Sequence, residues 1–595
     1  MGERSDGWIR VPVGDDSRSW ATRGRCRRVL LVVHNVTAAT RLLDVIPLFR
    51  DDLRVQLLAG CTGSSPFQSG VADLLASVGV PVLPWEQAVR VPVDLAISAS
   101  FGGQLGSIEG KLAVLSHGVG YNKRLRTPDT GHRTPDTGHR TPDTGHRTPV
   151  FGLAPEWLLA DGAPIADAMV LSHPEQLDRL REACPEAVPT AVLGGDPCFD
   201  RILAARRYRE RYRRALGVRP GQRLVLLNST WNPTSLFGDG GPADVLPLLL
   251  PRLTEELPVD EYRLAAVLHP NIWHGHGAGQ IRLWLDRARR AGLTLIDPLD
   301  GWRQALIAAD LVLGDFGSVS YYAAALGTPV LLGAAPLEAL GTDSPVADFV
   351  RRAPRLDPFA ALLPQLANAV REHLPVPGPA ELTSSAPGQS AGLLRELFYR
   401  LIGIPEPAGA AVLDPLPLPP HEPAARTAPL RVLTRVIGGA DGPLIGLHRY
   451  ADPRHEPQGH GEGHLAVPED TLDPGVLALA DVILRHGPAH DPRLGHPAEW
   501  ATEVLEQYPS CTLAAYLTEP GSCTALHRDG TLYRLTADPA GADPAAHASA
   551  LLAWLGSGRA ATPDLELTVR TGAGCDRVRV TAVLPGNADA ARRGR

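Results

Sequence analysis

Histidine, hydroxyl and carboxylate side chains recur in this chain directly after short apolar runs. They are His34-Asn35, Ser98, Ser116-His117-Gly118, Ser172-His173, Asp196, Asn228-Ser229-Thr230, His269-Pro270 and Asp315. In open parallel sheets the loops at the carboxyl ends of the strands converge with helix N-termini, so polar residues placed there meet a ligand. The richest segment is Leu311-Val312-Leu313-Gly314-Asp315-Phe316-Gly317-Ser318-Val319-Ser320, running on to Gly327-Thr328-Pro329-Val330, which reads strand, tight turn, helix, strand. Backbone amides of Gly317 and Ser318, with the Ser318 hydroxyl, suit a phosphate or diphosphate; plain N-capping of the helix is the alternative. Asp315, whose charge repels phosphate, fits better as an acceptor from a hydroxyl or as the orienter of a neighbouring donor. His269 ends an apolar strand just before Pro270, which aims its imidazole into the cleft, to take a proton when neutral or stabilise phosphate charge when protonated. A merely hydrogen-bonded loop histidine is the other reading. His117 has the same placement in the first half of the chain.

The elements that must position these residues follow the βαβ rhythm of parallel sheets. Strands are predicted at Val29–Val33, Val55–Leu58, Val82–Leu83, Leu95–Ile97, Ala113–Leu115, Met169–Leu171 and Ala191–Leu193, closed by a helical stretch from Phe199 to Leu216. The rhythm restarts at Leu224–Leu227, Leu264–Leu268, Leu293–Ile296, Leu311–Leu313 and Val330–Leu332. The chain therefore divides into an extension, 1–28; two doubly wound α/β (Rossmann-like) domains, 29–216 and 217–404; a Pro/Ala-rich linker, 405–429; and a C-terminal domain, 430–595. The last is read as a small α+β fold, with hairpins at Cys523–Leu535 and Leu565–Ala582 and helices at Pro474–Arg485, Pro497–Gln507 and Pro544–Leu555. A repeat of Arg-Thr-Pro-Asp-Thr-Gly-His fills 126–149; without apolar positions it can neither form a coiled coil nor bury a face, which predicts a mobile loop on the cleft rim.

Composition narrows the function. Hydrophobic residues are 44% and charged residues 21% of the chain, as in globular proteins. The net charge of −7 lacks the basic excess of a nucleic-acid binder, so nucleic acid is excluded as the expected partner. Seven cysteines with no C-x-x-C pair read as ordinary thiols. The lack of a signal peptide, and of any run of about 18 apolar residues, predicts a cytoplasmic protein without a transmembrane segment, peripheral contact with the inner membrane face remaining open. Gly106-Ser107-Ile108-Glu109-Gly110-Lys111-Leu112 is one residue short of a P-loop and lacks its Ser or Thr. No G-x-G-x-x-G follows Val29–Val33, which disfavours a dinucleotide oxidoreductase. His274 with His276, and His455, His460 and His464, lack the rigid spacing of metal ligands and are left out of the site.

Together these segments resemble the GT-B glycosyltransferase fold, and most closely the CDP-glycerol glycerophosphotransferases that build teichoic-acid-type polymers. Ser116-His117-Gly118 with Lys123 resembles that family's His-Gly segment, and Asn228-Ser229-Thr230-Trp231 its Pro-Thr-Trp segment. Leu268-His269-Pro270 resembles its His-Pro motif, and Gly314-Asp315-Phe316-Gly317-Ser318 its Ser-Asp-aromatic-Ser-Ser motif. Gly317 stands where the family has a serine, Lys123 is displaced by one residue, and the repeat interrupts the acceptor side. Asp196-Pro197 with Asp200 resembles a junction found in non-hydrolysing UDP-sugar 2-epimerases and related glycosyltransferases, which fits the architecture without choosing between transferase and epimerase. The resemblance implies an acceptor-side first domain and a nucleotide-donor second domain. It implies donor binding by Ser229, Thr230, Asp315, Gly317 and Ser318, with His269 stabilising the leaving nucleotide and His117 acting as base. No cofactor and no metal are implied. The partners would be a CDP or UDP conjugate and an acceptor hydroxyl compound, lipid-linked acceptors included. Two alternatives remain: a UDP-sugar 2-epimerase, and a non-catalytic nucleotide-sensing or interaction protein.

Overall fold

The computed structural model describes residues 7–583 apart from 15–16, 117, 125–149, 421–425, 440–441, 455–460, 490, 520, 539–542 and 560–564. His117 and the repeat at 126–149 therefore lie outside the described residues.

The first sheet contains β1 (Arg27–Val33), β2 (Val55–Cys61), β3 (Val82–Leu83), β4 (Leu95–Ser98) and β5 (Lys111–Val114). A short antiparallel ribbon, β6 (Leu159–Ala160) and β7 (Ala163–Pro164), precedes β8 (Ala168–Leu171) and β9 (Ala191–Leu193). The sheet order is β3-β2-β1-β4-β5-β8-β9, all parallel. β1 is apolar throughout because helices cover both faces: Val29, Leu31 and Val33 enter one core while Leu30 and Val32 enter the other. The second sheet is built the same way from β10 (Arg223–Ser229), β11 (Tyr262–Leu268), β12 (Thr294–Leu295), β13 (Leu311–Gly314) and β14 (Val330–Leu332), in the order β12-β11-β10-β13-β14. Leu224 and Leu226 face one layer, Val225 and Leu227 the other.

The helix Ser390–Ile402, grouped by sequence with the second sheet, packs instead on the first. Leu394, Leu397, Phe398 and Tyr399 join the core of β1, and Phe49 stacks on Phe398 and Tyr399 at 5.8 and 6.0 Å. Asp200 fixes the crossover by accepting from the Gly388 and Ser390 amides at 2.6 and 2.9 Å. Residues 405–420, expected to act as a plain linker, adhere to the body: Leu416 is buried, Tyr212 Oη donates to its carbonyl, and Gln304 Nε2 donates to Pro417 O.

The remaining strands are β15 (Leu430–Gly439), β16 (Gly442–Ala451), β17 (Glu462–Pro468), β18 (Val482–His486), β19 (Leu513–Glu519), β20 (Ser522–His527), β21 (Leu532–Asp538), β22 (Leu565–Thr571) and β23 (Gly574–Val583). They close into a barrel, β15-β16-β22-β23-β21-β20-β19-β18-β17, with β17 paired back to β15. Closure leaves no sheet edge to template aggregation. The helix Pro544–Gly556 is apolar and small-residue-rich all round, and it is buried over nearly its whole length against the inward residues of the strands. Where a helix was expected over Pro474–Arg485, the helix ends at Ala478 and β18 takes Val482–His486, because Val482 and Ile483 are needed in two different cores.

Candidate functional site

Asp315 organises the carboxyl end of the second sheet. It follows β13, is fully buried, and accepts on Oδ2 from the Thr230 and Leu236 amides at 2.8 and 3.1 Å and from Ser229 Oγ at 3.3 Å. Its Oδ1 accepts from the Gly317 amide at 2.9 Å. One carboxylate thus ties the loop after β10 to the turn that starts the helix Ser318–Ala325. Burial pushes its pKa up, while these amides and Lys123 pull the other way. Glycine at 314 and 317 lets the loops meet: a Cβ on Gly314 would lie 2.3 Å from Ser320 Oγ, and one on Gly317 3.0 Å from Asp315 Oδ1.

The first domain reaches into this site through 118–124. The Val119 amide donates to Ser318 Oγ at 3.3 Å, and Lys123 Nζ donates to Thr230 Oγ1 at 3.2 Å. Lys123 pairs with Leu340 in a β-bridge, and the Gly341 amide donates to Asn122 O at 2.8 Å. Although Lys123 is exposed as a residue, its ammonium end is enclosed over the Phe316 ring, 5.4 Å from the centroid; burial there lowers its pKa and Asp315 opposes the shift. Asp196 ties the domains a second time: it caps the helix Pro197–Ala205 through the Phe199 amide and accepts from Tyr322 Oη at 2.6 Å.

His269 stands at the end of β11 as N-cap of the helix Pro270–His276. Its Nδ1 accepts the Asn271 amide at 3.1 Å, so the neutral ring carries its proton on Nε2. Nε2 lies 3.5 Å from Thr37 Oγ1 of the first domain. Trp231, 43% exposed, flanks the imidazole at 6.4 Å and meets Phe67 of the first domain edge-on at 5.0 Å. His274 packs on Gly70, where a Cβ would fall 2.2 Å from its ring. Among the described residues no group of three or more His, Cys, Asp or Glu is arranged to hold a metal ion.

The structure therefore gathers Ser229, Thr230, His269, Asp315, Gly317 and Ser318 around one cleft. Three of them turn inward, Asp315 as the acceptor and orienter of neighbouring donors that its charge suggested. The carboxylate of Asp315 is consumed by the protein's own donors, the Gly317 amide is spent on Asp315, and Ser229 Oγ is buried, its one hydrogen shared between Thr230 O at 2.8 Å and the more distant Asp315 Oδ2 while it accepts from the Phe237 amide at 2.8 Å. These residues shape the site from behind. Ser318 Oγ, Thr230 Oγ1, Lys123 Nζ and His269 Nε2 lie where the two domains meet, each in contact with a residue of the other domain. Thr37, Phe67 and Val119 escaped sequence reasoning because nothing local marks a residue that acts across a domain boundary; Lys123 was visible only in its motif.

Contacts from the ends of β10, β11 and β13 to residues following β1 and β5 show that the carboxyl ends of the two sheets face each other, which is the GT-B arrangement. No family model matches the chain, and no curated protein matches its sequence. Among solved structures it is similar to the wall teichoic acid polymerase TagF, at 12% identity over 64% of this chain and 90% of that one, with a TM-score of 0.41. It is also similar to the UDP-GlcNAc 2-epimerase of Methanocaldococcus jannaschii in complex with UDP-GlcNAc and UDP, at 13% identity over 62% of this chain and 99% of that one, with a TM-score of 0.39. A third is Alr3699/HepE of Anabaena in complex with UDP, at 13% identity over 64% and 100%, with a TM-score of 0.33.

Proposed function

We propose that this chain is a transferase that moves a glycosyl or alditol-phosphate group from a nucleotide-diphosphate donor, a CDP or UDP conjugate, to an acceptor hydroxyl. The observation that carries the reading is the convergence of three phosphate-seeking groups on one cleft: the first turn of the helix Ser318–Ala325, the Lys123 ammonium and the Nε2–H of His269. That first turn has amides without intrahelical partners and the positive end of the helix dipole. The donor's diphosphate is seated there, with Ser318 Oγ as a further hydrogen-bonding group. Lys123 then neutralises charge on the departing nucleotide, and the Nε2–H of His269 hydrogen-bonds to it, as the acceptor oxygen attacks. Because Nδ1 of His269 is occupied, the ring acts as a donor at Nε2 instead of as a base. The acceptor's proton is assigned to His117, which precedes the Gly118-Val119 segment touching Ser318. The bond that breaks distinguishes the two chemistries: glycosyl transfer releases a nucleoside diphosphate, alditol-phosphate transfer a nucleoside monophosphate.

The test is a thermal-shift screen of CDP, UDP, GDP and their sugar and alditol conjugates, followed by chromatography of the nucleotide released with an acceptor panel. His269→Ala and Ser318→Ala should weaken donor use, and His117→Ala should leave donor binding intact while slowing transfer about 100-fold to 10,000-fold. Epimerised sugar formed without acceptor would replace the transferase reading by the epimerase one. Normal turnover in all three folded variants would remove the assignment of these residues.

A further inference from the structure

Far from the cleft, at the joint between the second domain and the barrel, guanidinium groups outnumber the carboxylates that hydrogen-bond them among the described residues. Arg449 on β16 is fully buried and donates to Asp260 at 2.6 and 2.9 Å and to Asp543 at 2.5 Å. Arg219 reaches the same two acids at 3.1 and 3.8 Å. Two carboxylates are thereby shared by two guanidinium groups.

Arg263, on β11, and Arg426, just ahead of β15, bring two more. Arg263 donates Nη2 to Thr294 Oγ1 at 3.0 Å, and its Nε is buried with no partner. Arg426 donates Nε to Ala291 O at 3.2 Å. Among the described residues neither is hydrogen-bonded to a carboxylate. Both line one cavity of about 20 Å³, whose other walls include Leu253, Leu257, Tyr262 and Ala291. Burial, then repulsion from Arg449 and Arg263, brings the Arg426 pKa down to about 10 against the pull of Asp543 and Asp260; burial and Arg219 lower that of Arg263. Both remain cations near neutral pH. A water molecule would fit the volume but would bring no charge to two half-buried guanidinium groups that no carboxylate hydrogen-bonds among the described residues. A small anion suits both the volume and the charge.

We infer that this cavity is a binding site for a single small inorganic anion of chloride size, held between Arg263 and Arg426, which fastens the barrel to the second domain. The site lies at the amino end of β11, opposite the cleft, and its occupancy is independent of the transferase reading.

Thermal unfolding of the full chain, measured at constant ionic strength in sodium gluconate with increasing chloride, bromide or sulfate, tests it. Chloride and bromide should raise the melting midpoint saturably by about 2–4 °C. Arg426→Gln should abolish that rise and, in gluconate alone, melt at or above the wild-type midpoint, since it removes one of the two cations lining the cavity. Arg263→Gln, on a different element, should do the same and serves if Arg426→Gln does not fold. An identical wild-type midpoint in gluconate and chloride, or a full halide response in both variants, would overturn the site. A response to sulfate without one to halides would overturn the size assignment.

Discussion

Replacing Asp315 tests whether one carboxylate holds both donor-side loops. In Asp315→Asn the amide oxygen can keep the bonds now made at Oδ2, from the Thr230 and Leu236 amides and Ser229 Oγ, which forces the NH2 towards the Gly317 amide. One charge-assisted bond is lost and two donors face each other, a cost of about 1.5–3 kcal/mol, partly offset because a buried charge is removed. Each 1.4 kcal/mol is tenfold, so the loops should open roughly ten to a hundred times more often. Asp315→Ala orphans all three buried amides at about 1–3 kcal/mol each and should open both loops permanently without unfolding the sheet. Hydrogen exchange followed by mass spectrometry on peptides covering 229–237 and 314–320 reads this directly, and calorimetry with a donor conjugate reads the consequence. The reasoning fails if Asp315→Ala accelerates exchange in 314–320 while leaving 229–237 protected, because a shared tie must release both.

Barrel stability should fall in acid through His464. Burial, with Arg431 adding, holds its pKa at about 4, below the ordinary 6.5, so the folded state binds fewer protons than the unfolded one. The stabilisation is complete above about pH 6.5 and is lost as pH falls towards 4, by up to about 3 kcal/mol; urea midpoints that stay equally steep with pH in His464→Gln would refute it. Leu416, buried beside Tyr212, should cost about 2–4 kcal/mol on truncation to Ala. By the same reasoning a fragment ending at 420 should melt above one ending at 404, and equal midpoints would show that the 405–420 contacts contribute nothing.

The parallel sheets were legible because a strand buried on both faces has to be apolar without interruption: β3, β9 and β14 occupy the predicted residues, and other strands differ mainly by a residue or two at their ends. The hairpins β20–β21 and β22–β23 were visible in their turn residues. Barrel closure was not, since the pairing of β16 with β22 joins residues more than a hundred positions apart and leaves no local mark. β18 was misread because a short apolar run after a helix start reads as more helix until its partners are known. At the site, residue types following strands gave the location, but their division of labour did not follow. Whether Asp315 faces a ligand or three amides depends on the path of the loop Thr230–Leu236, which only the fold supplies.

The return of the helix Ser390–Ile402 to the first sheet has a consequence for synthesis. When a ribosome has released residues 27–193 every strand of that sheet exists, yet the core around Val29, Leu31 and Val33 still lacks Leu394, Leu397 and Phe398. The strands of the second sheet, at 223–332, must emerge before those side chains arrive. Domains generally fold as units during translation, the N-terminal one first. Here the order is inverted: the unit begun first is finished later, and until then its apolar face is the surface that a nascent-chain chaperone would meet.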